Sequence, residues 1–198
     1  MMFSQKGQES APFELLIAII VMTFVIVIGF NALETLNRET CEGNMNQNME
    51  LIKSAIESVV KNKSKVNVSY TLPNCYNDAK SGLVIIERND TTYCSSVCGG
   101  SLAQCTILQF SSSEPQFTET KCLRISSATT FPTSSDSCPT DILGQSIDYT
   151  AVDWKDLREV GENIGIFTSV DPGQYTLLRQ SNLFSNAPIV CSYKVGSG

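Results

Sequence analysis

The chain contains no histidine in its 198 residues. Without an imidazole it can assemble neither a Ser/His/Asp nor a Cys/His nucleophilic centre, and it offers zinc no nitrogen ligand of that kind. No side chain titrates near neutrality unless its pKa is displaced. Basic residues are also scarce, with 14 Lys and Arg against 20 Asp and Glu and a formal charge of -6. Nucleic-acid binders draw their affinity from clustered Lys and Arg meeting phosphates, so nucleic acid is not an expected partner. There is no Gly-rich phosphate loop, no internal repeat and no C-x-x-C pair. No catalytic centre, cofactor or metal is therefore expected, and assembly or binding is expected ahead of turnover.

A mean hydropathy of -0.01 hides two very different segments. Residues 15–30 are almost unbroken apolar side chains, interrupted by Thr23 and Gly29, whereas everything after Thr40 is rich in Ser, Thr and Asn and carries all eight cysteines. The apolar run alone rises roughly 24 Å as a helix. Extension through Leu36 reaches roughly 33 Å, enough for a hydrocarbon core of about 30 Å. A secretory signal would end in a small-residue cut site, but this run continues straight into ALETLNRET. Lys6 precedes it, and Glu34, Arg38 and Glu39 follow, so the positive-inside rule sets the polar part outside the cell.

Helix is expected to continue beyond the apolar run. Pro12 suits a first turn, and no proline follows until after Asn62. Met45, Met49, Ile52, Ile56 and Val59 recur at spacings of four and three and form a one-sided apolar stripe. The first half of this helix calls for lipid or other helices, the second for a sheet.

A leader ending in Lys6-Gly7, followed by Gln8, Ser10, Glu14 and a long apolar helix, resembles the type IV pilin superfamily, in particular archaeal pilins with a class III signal peptide. The resemblance covers roughly residues 5–36. It implies cleavage between Gly7 and Gln8 by a prepilin peptidase, so that the apolar helix is retained. That helix would first hold the subunit in the membrane and then, with the pilus assembly machinery, pack into a homo-polymeric filament core. Glu14 would be the seventh mature residue, against the family's usual fifth. Two roles for it stay open: pairing with a neighbouring subunit's amino terminus, as the family implies, or sitting at headgroup level and stabilising its own helix N-terminus through the macrodipole.

Cys41, Cys75, Cys94, Cys98, Cys105, Cys122, Cys138 and Cys191 are even in number and confined to the polar part, which points to four disulfides and an oxidising compartment. Their connectivity is open. A Cys41 disulfide is expected to staple the helix to the polar head. Asn62, Asn67 and Asn89 open Asn-x-Ser/Thr sequons and are expected at exposed positions, as glycan acceptors.

β-patterned runs are expected at residues 65–72, 82–87, 91–94, 105–110, 118–125, 167–170, 175–178 and 189–195, with residues 82–87 and 91–94 forming a hairpin about Asn89-Asp90. Residues 111–137, rich in Ser and Thr, are expected as exposed loops or edge strands. Trp154, Leu157, Val160 and Ile164, with Asp153 as N-cap, fit a short helix. Asp136, Asp141, Asp148, Asp153 and Asp156 read as a solvated acidic surface ahead of a Ca²⁺ site. Tyr149, Trp154 and Tyr175 are either core or glycan-binding aromatics.

The expected fold class is α+β: a long helix, apolar first and amphipathic second, packed on an antiparallel sheet stapled by disulfides. The expected domains are a leader at residues 1–7, the helix at 8–62 and an extracellular head at 63–198. The expected function is that of a structural subunit of a pilus-like filament with a glycosylated head for adhesion or surface contact. The alternatives are a monomeric, membrane-anchored binding module and, with less support, a secreted hydrolase working through paired carboxylates.

Overall fold

A single helix, α1 (Ala11–Asn62), opens the structure, a computed structural model that describes residues 11–62, 65–76, 81–113, 116–131, 155–156, 167–181 and 187–195. Its 52 residues contain proline only at Pro12, in the first turn. There the missing N–H is one that no intrahelical carbonyl would have accepted. The Ile- and Val-rich run is a mediocre helix former in water. In an apolar setting, though, only the helix satisfies every backbone group within one segment.

The chain divides into two compact units, Met1–Glu42 and Gly43–Gly198. In the second unit the apolar stripe of α1 is core: Met45, Met49, Ile56 and Val59 are completely buried and Ile52 is nearly so. The strands that follow are β1 (Val66–Tyr70), β2 (Gly82–Arg88), β3 (Cys105–Ser113), β4 (Gln116–Leu123), β5 (Lys155–Asp156), β6 (Phe167–Val170), β7 (Gly173–Ser181) and β8 (Pro188–Lys194). They form two antiparallel sheets, β1-β7-β8 and β4-β3-β2-β6-β5. The fold class is thus α+β with a helix packed on antiparallel sheets. Where one sheet was expected there are two, since β1 pairs with β7, more than a hundred residues later, instead of with β2.

Helix α1 is fastened to both sheets. Ile52 and Ile56 face Val68, Tyr70, Tyr175 and Leu177 of the three-stranded sheet, around a small apolar void. Lys121 on β4 reaches Glu50 of α1 at 3.2 Å and its own strand neighbour Glu119 at 3.0 Å. The Glu57 carboxylate accepts from the Arg124 backbone N–H at 2.8 Å, and the Asn48 side-chain amide donates to the Thr71 carbonyl at 2.9 Å. At the far end the Arg179 guanidinium donates to the Val60 carbonyl, one of the last four that the helix itself cannot satisfy. A parallel bridge between Thr130 and Ile189 carries the segment after β4 along the edge of β8.

Residues 91–94, expected as the second strand of a hairpin, instead begin a helix, α2 (Thr91–Cys98). Asp90 is the reason. Its backbone is extended and its carboxylate accepts from the Tyr93 N–H at 3.0 Å, so it is a helix N-cap and not a hairpin turn residue. Gly99 and Gly100 end the helix with φ of 73° and 75°, a region that side chains rarely tolerate. Capping at both ends outweighs the β propensity of Thr-Thr-Tyr. The strand partner for β2 is β3, in register from Gly82 opposite Ser111 to Arg88 opposite Cys105.

Helix α2 covers one face of the five-stranded sheet through Cys94 and Val97, which pack on Ile86, Cys105 and Ile107. This is why the first four residues of β3 are all buried before alternation sets in. On β4, Phe117 stacks with Tyr76 at 5.6 Å, and Phe110 meets Tyr76 edge-on at 5.1 Å. As expected for the Ser/Thr-rich stretch, β4 is an edge strand. Of the expected helix around Trp154, Lys155 and Asp156 are a strand paired with β6, because Lys155 lies opposite Ser169 in an antiparallel ladder. The rest of that segment, with Asp136, Cys138, Asp141, Asp148, Tyr149, Asp153 and Trp154, lies outside the described residues.

Met49 and Leu51 separate the two roles of α1 in this unit. Met49→Ala removes a fully buried side chain and should cost about 2–5 kcal/mol. Leu51→Ala, at a position 53 % exposed, should stay within about 0.5 kcal/mol. Asp90→Ala should cost about 1 kcal/mol through the lost cap. Denaturant unfolding of the disulfide-intact protein reads all three.

Candidate functional site

The first half of α1 presents an apolar surface to its surroundings on every side. Fourteen large side chains from Phe13 to Phe30 are between 46 % and 69 % exposed, and Leu33 and Leu36 continue the surface. At roughly 100 Å² each, they expose on the order of 1,400 Å² of apolar area. A monomer's largest apolar patch is about 300–600 Å², and one partner in a stable complex contributes about 800 Å². At roughly 25 cal/mol per Å², leaving that area in water forgoes on the order of 35 kcal/mol, more than the net stability of an ordinary domain. The helix is long and apolar enough to cross a membrane.

Polar groups in this stretch are few and mostly self-satisfied. The Thr23 hydroxyl donates to the Ile19 carbonyl at 2.8 Å, one turn back along the same helix. Thr35 and Thr40 do the same toward Asn31 and Leu36. Back-bonding of this kind removes the main cost of a hydroxyl in an apolar setting. Glu14 is exposed in the first turn, where the helix dipole favours an anion. Gly7 and Gln8 lie outside the described residues.

In the second unit, disulfides join Cys94 to Cys105 and Cys98 to Cys122. The two helical cysteines are four residues apart on one face of α2, and their partners lie on adjacent strands, so the helix is clamped to both β3 and β4. Cys41, Cys75 and Cys191 are disulfide-bonded too. Cys94 and Cys105 are buried in the cluster beneath α2, whereas Cys98 and Cys122 are half-buried and line a surface cavity of about 300 Å³ with Thr106 and Arg124. The spacing Asp90 to Gly99, with Cys94 and Cys98 one turn apart, was the signal in the sequence that would have found α2 and its disulfide face.

Asn62, Asn67 and Asn89 are all exposed. Asn62 donates to the Ser58 hydroxyl at 3.3 Å and Asn67 accepts from the Thr176 hydroxyl at 3.0 Å, while Asn89 stands just ahead of the Asp90 cap. Tyr175 is a core residue whose hydroxyl donates to the Asp171 carbonyl. Burial, with Tyr175 and Asp171 nearby, pushes the Tyr70 phenol far above its ordinary value.

Burial lowers the Lys121 ammonium, but hydrogen bonds and attraction from Glu119 and Glu50 outweigh it and leave the group raised. Glu50 and Glu119 converge on Lys121, and Glu50 is also 3.7 Å from Lys53, an arrangement of ion pairs that ties α1 to β4. Among the described residues no group of three or more Cys, Asp or Glu side chains is placed to hold a metal ion. No family model, curated protein or solved structure matches the chain.

Two measurements follow from this geometry. Reduction with a mild thiol under native conditions, followed by alkylation and peptide mapping, should open Cys98–Cys122 before Cys94–Cys105, because exchange needs access for the attacking thiolate. Burial alone raises the Glu87 carboxyl above its ordinary value. A carboxyl raised in the folded state binds its proton more tightly there than in the unfolded chain. Stability therefore falls as pH rises from the unfolded carboxylate range through the folded pKa. Glu87→Gln should accordingly stabilise the protein at pH 7 and have no such effect near pH 4, as read by denaturant midpoints at the two pH values.

Proposed function

We propose that the protein is a structural subunit of an extracellular filament, resembling a type IV pilin, in which the first half of α1 forms the core and the disulfide-bonded second unit forms the outer surface. One observation carries the reading. A single unbroken helix exposes fourteen large apolar side chains around its whole circumference and then, without interruption, supplies the buried stripe of a folded head. A cleavable secretion signal needs no such continuity, since its helix is discarded. A helix retained for assembly does need it.

In this reading a peptidase removes residues 1–7, the apolar helix rests in the membrane, and assembly machinery transfers it into a bundle with other copies. Apolar side chains lose nothing on exchanging lipid for a neighbouring helix and gain van der Waals contact. The disulfides fit an oxidising, extracytoplasmic setting. The exposed sequon asparagines, if modified, would carry glycans on the filament surface, where adhesion or surface contact takes place. The chemistry is assembly, with no bond turned over after the leader is cut.

The test is the terminal peptide of the protein from native membranes or shed material, read by mass spectrometry, together with electron microscopy of the same material. A start at Gln8 with filaments is expected. A start at Met1 without filaments would replace the reading with a membrane-anchored binding module. A start beyond Leu36 would mean that the helix serves only secretion.

A further inference from the structure

Asp171 and Pro172 form the only Asp-Pro pair in the chain. They lie in the short connection between β6 and β7, which carries the chain from the five-stranded sheet to the three-stranded one. An Asp-Pro bond is unusually labile in acid. The aspartic side chain can close a five-membered ring onto its own backbone carbonyl, and the proline nitrogen is a readily protonated leaving group. Here the carbonyl of that bond is the one to which the Tyr175 hydroxyl donates. We propose that the protein cleaves its own Asp171–Pro172 bond, with the Asp171 carboxyl as nucleophile and the Tyr175 phenol polarising the carbonyl.

The donor is held in place by the core. Tyr175 is 5 % exposed, and its side chain lines the apolar void beneath α1 with Ile52, Ile56, Val68 and Leu177. A phenol anchored in this way aims its O–H at the carbonyl before any charge develops there, as an oxyanion-stabilising donor must. Tyr70, opposite Gly173 in the ladder, is also buried, and burial followed by the proximity of Tyr175 and Asp171 pushes its phenol above its ordinary value. It therefore stays neutral and puts no negative charge beside the developing oxyanion. On the outer side Asp171 is half-buried and Pro172 exposed, so water reaches the turn.

The step balances without a co-reactant other than water. In its acid form the Asp171 carboxyl attacks the backbone carbonyl carbon of the same residue through one oxygen. The new C–O bond closes the ring, the carbonyl oxygen takes up negative charge where the Tyr175 O–H donates, and the carboxyl proton passes to the Pro172 nitrogen. The C–N bond then breaks, leaving a cyclic anhydride at residue 171 and a secondary amine at Pro172. One water opens the anhydride to an α-carboxyl and a side-chain carboxyl. Because the carboxylic acid is the reactive form, the rate rises as pH falls.

Cleavage does not release the C-terminal piece. Cys191 is the only cysteine after Pro172 and is disulfide-bonded, so its bond spans the cut. Strand β7 also remains paired with β1. The product is a nicked but connected head with a new amine at Pro172. The reaction adds one bond-breaking step to a chain whose role is otherwise assembly, and it is independent of whether filaments form.

The test follows the intact mass of the full-length protein in detergent between pH 4 and pH 7, wherever circular dichroism shows the fold retained. The protein should gain the mass of one water before reduction. After reduction it should separate into a fragment ending at Asp171 and one beginning at Pro172. Cleavage should be about tenfold or more faster than in the reduced, alkylated chain in concentrated urea at the same pH. Asp171→Asn should abolish it in both states, and Tyr175→Phe should bring the folded rate down to the unfolded one.

Cleavage no faster in the folded protein than in urea would overturn the proposal, as would an undiminished rate in folded Tyr175→Phe. Should Tyr175→Phe fail to fold, the folded and unfolded rates of the unsubstituted chain decide alone.

Discussion

The rest of the structure depends on one constraint: the apolar surface of α1 between Phe13 and Phe30 cannot remain in water. On the order of 1,400 Å² of hydrocarbon is a larger free-energy demand than the folding of the head can offset. The only polar groups it carries are at its ends or bonded back to the helix. A helix of this composition would be stable in lipid or among other helices. Such surroundings would also hold it helical, since every backbone group must then be satisfied internally.

The second half of α1 obeys a different rule within the same element. From Met45 onward one face is buried completely and the opposite face carries Glu50 and Leu51, which are exposed. Two sheets rest on it and are fixed by a small number of directed contacts: Lys121 with Glu50, Arg124 with Glu57, Asn48 with Thr71, and Arg179 with the last turn. Removing the stripe would therefore be expected to undo the head as well as the helix. Two disulfides act at α2, which is too short to hold itself in place and is clamped to β3 and β4 through Cys94 and Cys98.

Much of this was readable from residue order because its causes are local. The period of the Met45 to Val59 stripe, the lack of proline after Pro12 and the alternation in residues 65–72 are properties of short windows, and α1 and β1 occur where those windows place them. Residues 91–94 were misread because their β propensity is visible in the window, while their conformation is decided by caps, the N-terminal one a single hydrogen bond from the Tyr93 N–H to the Asp90 carboxylate. Lys155 and Asp156 were misread for a related reason. Their helical spacing is overruled by pairing with β6, a partner more than ten residues away.

The amino-acid sequence by itself determined the division into an apolar rod and a cysteine-bearing head, the course of the long helix, and the absence of imidazole chemistry. These depend on composition and on periodicity within one or two turns. Only the tertiary structure decided that the strands separate into two sheets, that β1 joins β7 across more than a hundred residues, and that Cys94 and Cys98 bond to Cys105 and Cys122. The physical reason is that strand pairing and disulfide choice depend on which backbones meet once the apolar stripe has been covered. Eight cysteines and the eight strands among the described residues admit many pairings of nearly equal local merit. Burial of a common core selects among them.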